Sequence, residues 1–523
     1  MFWADKITGE IQSQLKDKIA KGETLIVRDE KTASGRVHIG SMRGVAIHGL
    51  VTDVLNEKGV SAKFLYEIND FDTMDGLPAY LDIDMYQQYM GMPLRDIPSP
   101  DGKAENFAEY YASEYKQVIE EAGFTPEFYR ASELYTSGKM NEVIRLALEN
   151  AEVIRDIYKK VSGGVKPDDW LPLSVVCENC GRNGTTKTTS FNGEEVTYEC
   201  RKDLVKWAQG CGHSGSVSPY NGNAKLPWKV EWAAKWVVVG VDIEGAGKDH
   251  STRGGARDIA NNIARRVFKI TPPFDIPYEF FLVGGAKMSS SKGSGSSAAD
   301  VANALPRKIF RLALLGVKPM RAINFEPEGN TIPTLFDRYD EIAEKFWGKT
   351  ADDDARMYEL IHLGEVPKKY YRMRFSQVAF LSQMPHIDIL EEAVKDKGSE
   401  LNDIEKGELH ERVDYALAWL KEHAPEKYVF ELQEKVSSFA FSDLQKQAFA
   451  EILKYVNEHE ELIGEDLHHF IHTIQKDGEI DAKELFSGIY QLFLGRDSGP
   501  QVGWFLSVLP REFLIERLRQ DHK

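Results

Sequence analysis

"ETLIVRDEKTASGRVHIGSMRGVAIHGLVTDVLNEKGVSAKFLYEIND", residues 23–70, carries four signals in order. A β-branched run (23–30) predicts a strand, and small residues then form a turn. Residues 41–59 predict a helix, and "SAKFLYEIND" (61–70) a second strand. A β-α-β unit of this kind belongs to a parallel sheet, because parallel neighbours need a long crossover between them. The pattern returns later. "KWVVVGVDIEG" (235–245) predicts a buried strand, "STRGGARDIANNIARRVFK" (251–269) a helix and "YEFFLVGG" (278–285) another strand. Working outward gives one doubly wound α/β domain whose halves are residues 1–75 and 236–300, interrupted by an insertion at 76–235. Residues 301–360 form a connecting region, and 361–523 a helical domain. In "FSDLQKQAFAEILKYV" (441–456), Leu444, Ala448, Phe449, Ile452, Leu453 and Val456 share one helical face. Ser442 and Gln445 have the spacing of a capping box at its start.

The chain has 523 residues, 42% of them hydrophobic and 28% charged, as expected of a soluble protein of several domains. No apolar run approaches the ~18–20 residues that span a bilayer, so no membrane partner is expected. The N-terminus, "MFWADKITGEIQSQLKDKIAKGE", has acidic residues and no apolar core, so neither a signal nor a transit peptide is expected. Four cysteines in so long a chain argue against a disulfide scaffold and for a reducing cytoplasm. A net charge of −17 disfavours indiscriminate polyanion binding, and DNA is not an expected partner. Nucleic acid held on local basic strips remains compatible with it.

The first β-α turn is the natural place for chemistry. Ala33, Ser34 and Gly35 let a ligand approach the backbone closely, and His38 and Gly40 sit where the helix begins, a position that favours anionic groups. "KMSSSKG" (287–293) offers ammonium groups, hydroxyls and backbone N–H donors of the kind that wrap a triphosphate. There is no G-x-x-x-x-G-K-[ST] loop, and "GAGKDH" (245–250) starts like G-x-G-x-x-G and then breaks, so a P-loop ATPase and a nicotinamide dehydrogenase both lose ground. Asp70 and Asp72, at the end of the second strand, suit an ammonium group. All the cysteines, Cys177, Cys180, Cys200 and Cys211, fall in one short window, which predicts a thiolate cage for one structural Zn2+, with His213 as an alternative ligand.

"HIGS" (38–41) followed by "KMSSS" (287–291) on the two halves of a split α/β domain resembles the HIGH and KMSKS motifs of class I aminoacyl-tRNA synthetases. Ser41 replaces the last histidine of the first motif and Ser290 the lysine of the second, which leaves Lys292 to take over that role. "KLPWKVEWAAKW" (225–236), "GKDH" (247–250) and "LFLGRDSGPQVGWFLSVLPREFLIERL" (492–518) are similar to the class I lysyl-tRNA synthetases, which lie near the glutamyl branch in fold. The resemblance spans the chain. It implies a Rossmann-like catalytic domain with a zinc-bearing insertion, then an all-α, anticodon-binding α-helix cage. It implies ATP with Mg2+, L-lysine and tRNA(Lys) as substrates and partners. ATP would meet Ser34, His38, Gly40, Ser41, Gly247, Asp249, Lys287, Met288, Ser289, Ser290 and Ser291. Lysine would meet Thr32, Asp70, Asp72, Trp228, His250 and Tyr278, with His38, Lys287 and Lys292 stabilising the reacting charge. Three alternatives stand beside it. A glutamyl-type enzyme should present a cationic pocket, a small adenylyltransferase has no use for the helical third, and a non-catalytic RNA-binding module has no use for His38 and Lys287.

Overall fold

The computed structural model describes residues 1–285, 296–433, 435 and 439–519. They divide into two units, Met1–Phe325 with Glu341–Val366 and Glu326–Asp340 with Pro367–Lys523.

The first unit is built on a parallel sheet. Strands β1 (Leu25–Lys31), β2 (Ala62–Ile68) and β3 (Glu127–Arg130) pair in the order β1-β2-β3, with Val27 opposite Phe64. On the other side of β1, parallel bridges run from Val27 to Ile243 and from Ile243 to Phe274. The backbone bonds Arg28 N–H to Ile243 O (2.9 Å) and Glu244 N–H to Phe274 O (3.0 Å) carry them. Strand order therefore reverses at β1, which is where doubly wound sheets open a crevice at their carboxyl ends. The crossover helix Met42–Glu57 follows a single 3-10 turn, Ile39–Ser41. It is apolar nearly all round, with Val45, Leu50, Val51 and Val54 buried, as a helix covered on both sides must be.

Residues 76–235, expected as an insertion, contribute β3 to the parallel sheet and also hold the helices Phe107–Glu121, Asn141–Glu149 and Ala151–Ser162 and two small antiparallel ladders. Strands β4 (Ser174–Val175) and β8 (Ala224–Lys225) form one; β5 (Thr186–Phe191), β6 (Val196–Cys200) and β7 (Ser214–Val217) form the other.

Three sequence expectations change. Lys235–Val239 are the end of a helix, Trp228–Val239, and not part of a strand. Pro227 opens that helix and Gly240, in the left-handed region at φ 74°, closes it. These end signals override the β preference of three consecutive valines. Only the residues from Val241 onward run along the sheet. In "YEFFLVGG" the sheet contact is at the front, where Tyr278 bridges Gly247. Phe281–Val283 (β9) instead pairs in parallel with Ile323–Phe325 (β10). The expected helix over 251–269 is confined to Ala256–Arg266, after a short turn of helix at Lys248–Ser251.

The described residues of the second unit are helical. Helix Asp443–Glu458 starts at the expected capping box, with Ser442 and Gln445 each accepting the other's backbone N–H. Its Ala448, Phe449, Ile452 and Val456 enter a core with Leu467, Ile471, Leu485, Ile489 and Phe505. Leu444, expected on that face, is largely exposed. It lies in the first turn, before the helix meets its neighbours. Arg412 is fully buried and holds Asp340 through two hydrogen bonds of 2.6 and 2.8 Å. No helix among the described residues is long and apolar enough to cross a membrane.

Candidate active site

A cleft of about 450 Å3 opens where the strand order reverses. The end of β1 contributes Asp29, Glu30, Lys31 and Thr32, and the turn into the crossover helix contributes His38, Gly40 and Ser41. Asn69 and Asp72 come from beyond β2, Trp228 and Trp232 from the insertion's last helix, and Gly247, Asp249, His250 and Tyr278 from the far side of the sheet. Of the residues expected from sequence, the structure thus brings Thr32, His38, Gly40, Ser41, Asp72, Trp228, Gly247, Asp249, His250 and Tyr278 to one cavity.

Ser34 and Asp70 are not part of its wall. Asp70 is 2% exposed and turned towards the helix Ala131–Thr136, accepting the Ser132 N–H (2.8 Å) and hydroxyl (2.5 Å). Burial pushes its carboxyl above the ordinary aspartate range, the reverse of a group poised for a ligand cation. Asp72 does face the cleft, with Thr32 donating to one oxygen and Lys225 lying 2.9 Å from the other.

Lys287, Met288, Ser289, Ser290, Ser291 and Lys292 lie outside the described residues. Their described flanks are tied to the cleft's edge. Gly284 N–H donates to Phe325 O at 3.1 Å, Ile39 N–H to Ser296 O at 3.3 Å and Ala298 N–H to Val37 O at 2.8 Å. Residue 296 therefore returns beside His38. Gly40 is needed here, since a Cβ would sit 2.8 Å from the His38 Nδ1.

An aromatic wall closes one side. Trp228 and His250 rings meet edge to face at 5.5 Å, and Trp228 and Trp232 stack at 6.2 Å. Trp228 is 45% exposed, with Trp232 stacked on it and the Lys229 ammonium 5.4 Å from its ring centre. Beneath the other side lies His48. Its Nε2 accepts the Gly245 N–H at 2.7 Å, so the imidazole is neutral, with its proton on Nδ1 between the Gly44 carbonyl (2.8 Å) and Asp29 (3.4 Å).

Sequence reasoning missed the largest feature of the site, a buried ion network behind the cleft. Arg28, fully buried in β1, donates to Glu244 (2.5 Å), Glu30 (2.5 Å) and Glu67 (2.8 Å), and through Nε to the Tyr129 hydroxyl (2.8 Å). Lys235, also fully buried, reaches Glu67, Glu231 (3.1 Å) and Glu30 (3.5 Å). Lys225 joins Glu231 (2.7 Å) to Asp72. Burial alone would raise the Glu30 carboxyl, but the cations of Lys235 and Arg28 more than reverse this and hold it at about 2. The signal was present in the sequence, as Arg28 and Glu30 at alternate positions of a buried strand and Glu231 and Lys235 one helical turn apart.

The cysteines converge as their spacing predicts. The four Sγ atoms lie within 4.8 Å of one another, and both Cys177–Cys211 and Cys180–Cys200 are 3.7 Å apart. A disulfide would need ~2.05 Å, whereas a tetrahedron with ~2.3 Å metal–sulfur bonds has edges of ~3.8 Å. The residues present therefore fit a tetrathiolate metal ion. The Cys211 N–H and Thr185 hydroxyl, each 3.3 Å from Cys200 Sγ, supply the supporting bonds such a cage requires. His213 is not among the clustered ligands; its ring packs against Tyr198.

Comparison with known proteins agrees with this architecture. Residues 1–366 match the family model described as tRNA synthetases class I (K). A lysine–tRNA ligase of Methanosarcina barkeri (strain Fusaro) is 33% identical over 99% of this chain and 97% of its own. One from Archaeoglobus fulgidus is 32% identical over 99% of both, and one from Pyrococcus horikoshii 31% identical over the full length of both. Among solved structures, a glutamate–tRNA ligase from Elizabethkingia meningosepticum covers 95% of this chain and 98% of its own at 14% identity, with a TM-score of 0.40, too low to carry an argument. With its cleft at the strand reversal, its His38–Ser41 turn at the cleft's edge and a match over most of its length, the chain belongs to the class I tRNA synthetases of the lysine type.

Proposed function

We propose that this chain is an ATP-dependent lysine–tRNA ligase. The lysine carboxylate attacks the α-phosphorus of ATP, giving lysyl-adenylate and pyrophosphate, and the lysyl group then passes to the 3′ end of tRNA(Lys). No side-chain nucleophile takes part; catalysis is positioning and charge stabilisation. His38, Gly40, Ser41, Gly247 and Asp249, with the serines of residues 289–291, are the ATP side of the site. Thr32, Asp72, Trp228, His250 and Tyr278 are the amino-acid side. Lys287 and Lys292 neutralise the triphosphate together with its Mg2+.

The observation that carries this reading is the cleft's lining, which combines several carboxylates, Asp29, Glu30 and Asp72 among them, with the partly exposed Trp228. A substrate with an alkyl chain and a terminal ammonium matches both. The four cysteines hold a structural Zn2+, with no open position for catalysis. Residues 1–75 and 236–300 form the nucleotide-binding domain, 76–235 the acceptor-end insertion, 301–360 the stem-contact region and 361–523 the anticodon-binding helices. The enzyme works in the cytoplasm, with no membrane or DNA partner. Charging of tRNA with each amino acid in turn tests the proposal. Lysine alone should be accepted; glutamate accepted in its place refutes it.

A further inference from the structure

The substrate's side-chain ammonium needs one defined acceptor, and the cleft offers several carboxylates. Most are already engaged. Asp72 takes Thr32 on one oxygen and Lys225 on the other. Asp29 takes the Glu30 N–H on Oδ1 and faces His48 with Oδ2. Glu244 is buried, with one oxygen on Arg28 and the other on the Trp236 indole. Glu30 differs. Its side chain is 31% exposed, its Oε2 is held by Arg28 and Lys235, and among the described residues its Oε1 makes no hydrogen bond.

We infer that Glu30 is the specificity-determining carboxylate that receives the side-chain ammonium of the amino acid. This rests on the lysine reading above and names the residue that enforces it. Two further observations support it. In the connected cluster the carboxylates (Glu30, Glu67, Glu231, Glu244 and Asp72) outnumber the cations (Arg28, Lys225 and Lys235), so an incoming cation relieves an excess of negative charge. Arg28, the guanidinium nearest Glu30, has no exposed surface and is enclosed by three glutamates, so it is not offered to an acidic side chain. Glu30 thus does two things at once. It presents an open oxygen to an ammonium, and it shields the nearest guanidinium from an acidic side chain.

The test is Glu30→Gln in the full chain, with charging kinetics measured for lysine and for norleucine, which keeps the alkyl chain and lacks the ammonium. Loss of a charge-assisted contact should raise the KM for lysine roughly tenfold to a hundredfold and shrink the preference over norleucine by a similar factor. The KM for ATP should stay within about twofold of the parent's, which a general disturbance of the site would not allow. Glu30→Asp, charged but one methylene shorter, should fall between the two. It decides the matter alone should Glu30→Gln not fold. An unchanged lysine KM in either variant overturns the assignment, as does a lysine KM that moves in Asp72→Asn and not in Glu30→Gln. A parent enzyme that does not charge lysine at all refutes the underlying function instead.

Discussion

Replacing Lys235 by methionine keeps the volume of the side chain and removes a charge with no exposed surface. Its ammonium contacts Glu67, Glu231 and Glu30, so three carboxylates lose a partner. Breaking a buried pair from one side costs about 3–5 kcal/mol, because the remaining charge stays desolvated. Here each carboxylate keeps a second cation. Arg28 still holds Glu67 and Glu30, and Lys225 still holds Glu231. That places the loss near the lower end, about 3 kcal/mol. For a unit of about 350 residues the entropy of unfolding converts this to a fall of about 4 °C in the melting temperature. Calorimetry on the full chain, following the transition of the catalytic unit, should detect it. Adding Glu67→Gln to Lys235→Met removes one orphaned negative charge and should recover about half of the loss. A single variant that melts within 1 °C of the parent, or a double variant no better than the single, would refute the idea that charge pairing holds this region together.

Other outcomes can be checked independently. Elemental analysis should find about one zinc per chain, reduced in Cys177→Ser, and a metal-free protein of unchanged stability in chelator counts against the site. Lys292→Ala should slow adenylate formation at least tenfold, about 1.4 kcal/mol, with little change in the KM for ATP; a parental rate in pre-steady-state measurement removes the lysine from the chemistry. In the second unit, Lys427 sits 4.8 Å from the Tyr428 ring and lines a cleft of about 230 Å3 with Arg374. Lys427→Ala should raise the KM for tRNA and weaken its salt dependence, and an unaltered KM shows that this cleft does not contact RNA. Glu30 contributes stability that is complete above its unfolded pKa of ~4.3 and is lost as pH falls through about 2. The melting temperature of Glu30→Gln should accordingly fall less between those values than the parent's, and equal slopes would show that Glu30 is not held ionised by its neighbours.

What the sequence discloses here depends on the range of the signal. The β-α-β unit was legible because its strands, turn and crossover helix are contiguous and each has its own periodicity. The four cysteines were legible because ligand spacing is itself a local constraint. The capping box at Ser442 was legible for the same reason. Lys235–Val239 misled because a valine run has strand propensity, whereas the end signals at Pro227 and Gly240 make it the last turn of a helix and leave Val237 exposed. Asp70 misled because strand alternation would place it on the same side as Asp72, two residues on, but the chain leaves β2 at Ile68, and beyond that point Asp72 lines the cleft while Asp70 accepts from Ser132. The ion network was legible only in fragments, Arg28 with Glu30 and Glu231 with Lys235. Its members come from β1, β2, the segment after it, the insertion's last strand and helix, and residue 244, and no local pattern ties them together.

That network also bears on what kind of protein this is. Buried ion pairs are poor sources of stability, because desolvating each charge costs several kcal/mol that the pairing only offsets. An apolar core at the same place would hold the sheet at least as well. An apolar core, however, could not orient a carboxylate at the rim of a crevice. With Arg28 and Lys235 gripping one oxygen of Glu30, the rotamer is set before the substrate arrives, and no ordering entropy remains to be lost on binding. The same arrangement would reject a neutral side chain, since an unanswered carboxylate in a half-buried cleft is costly to desolvate. The charges beneath the cleft are therefore best understood as the rigid mount of a recognition group, with folding stability a secondary consequence of their mutual pairing.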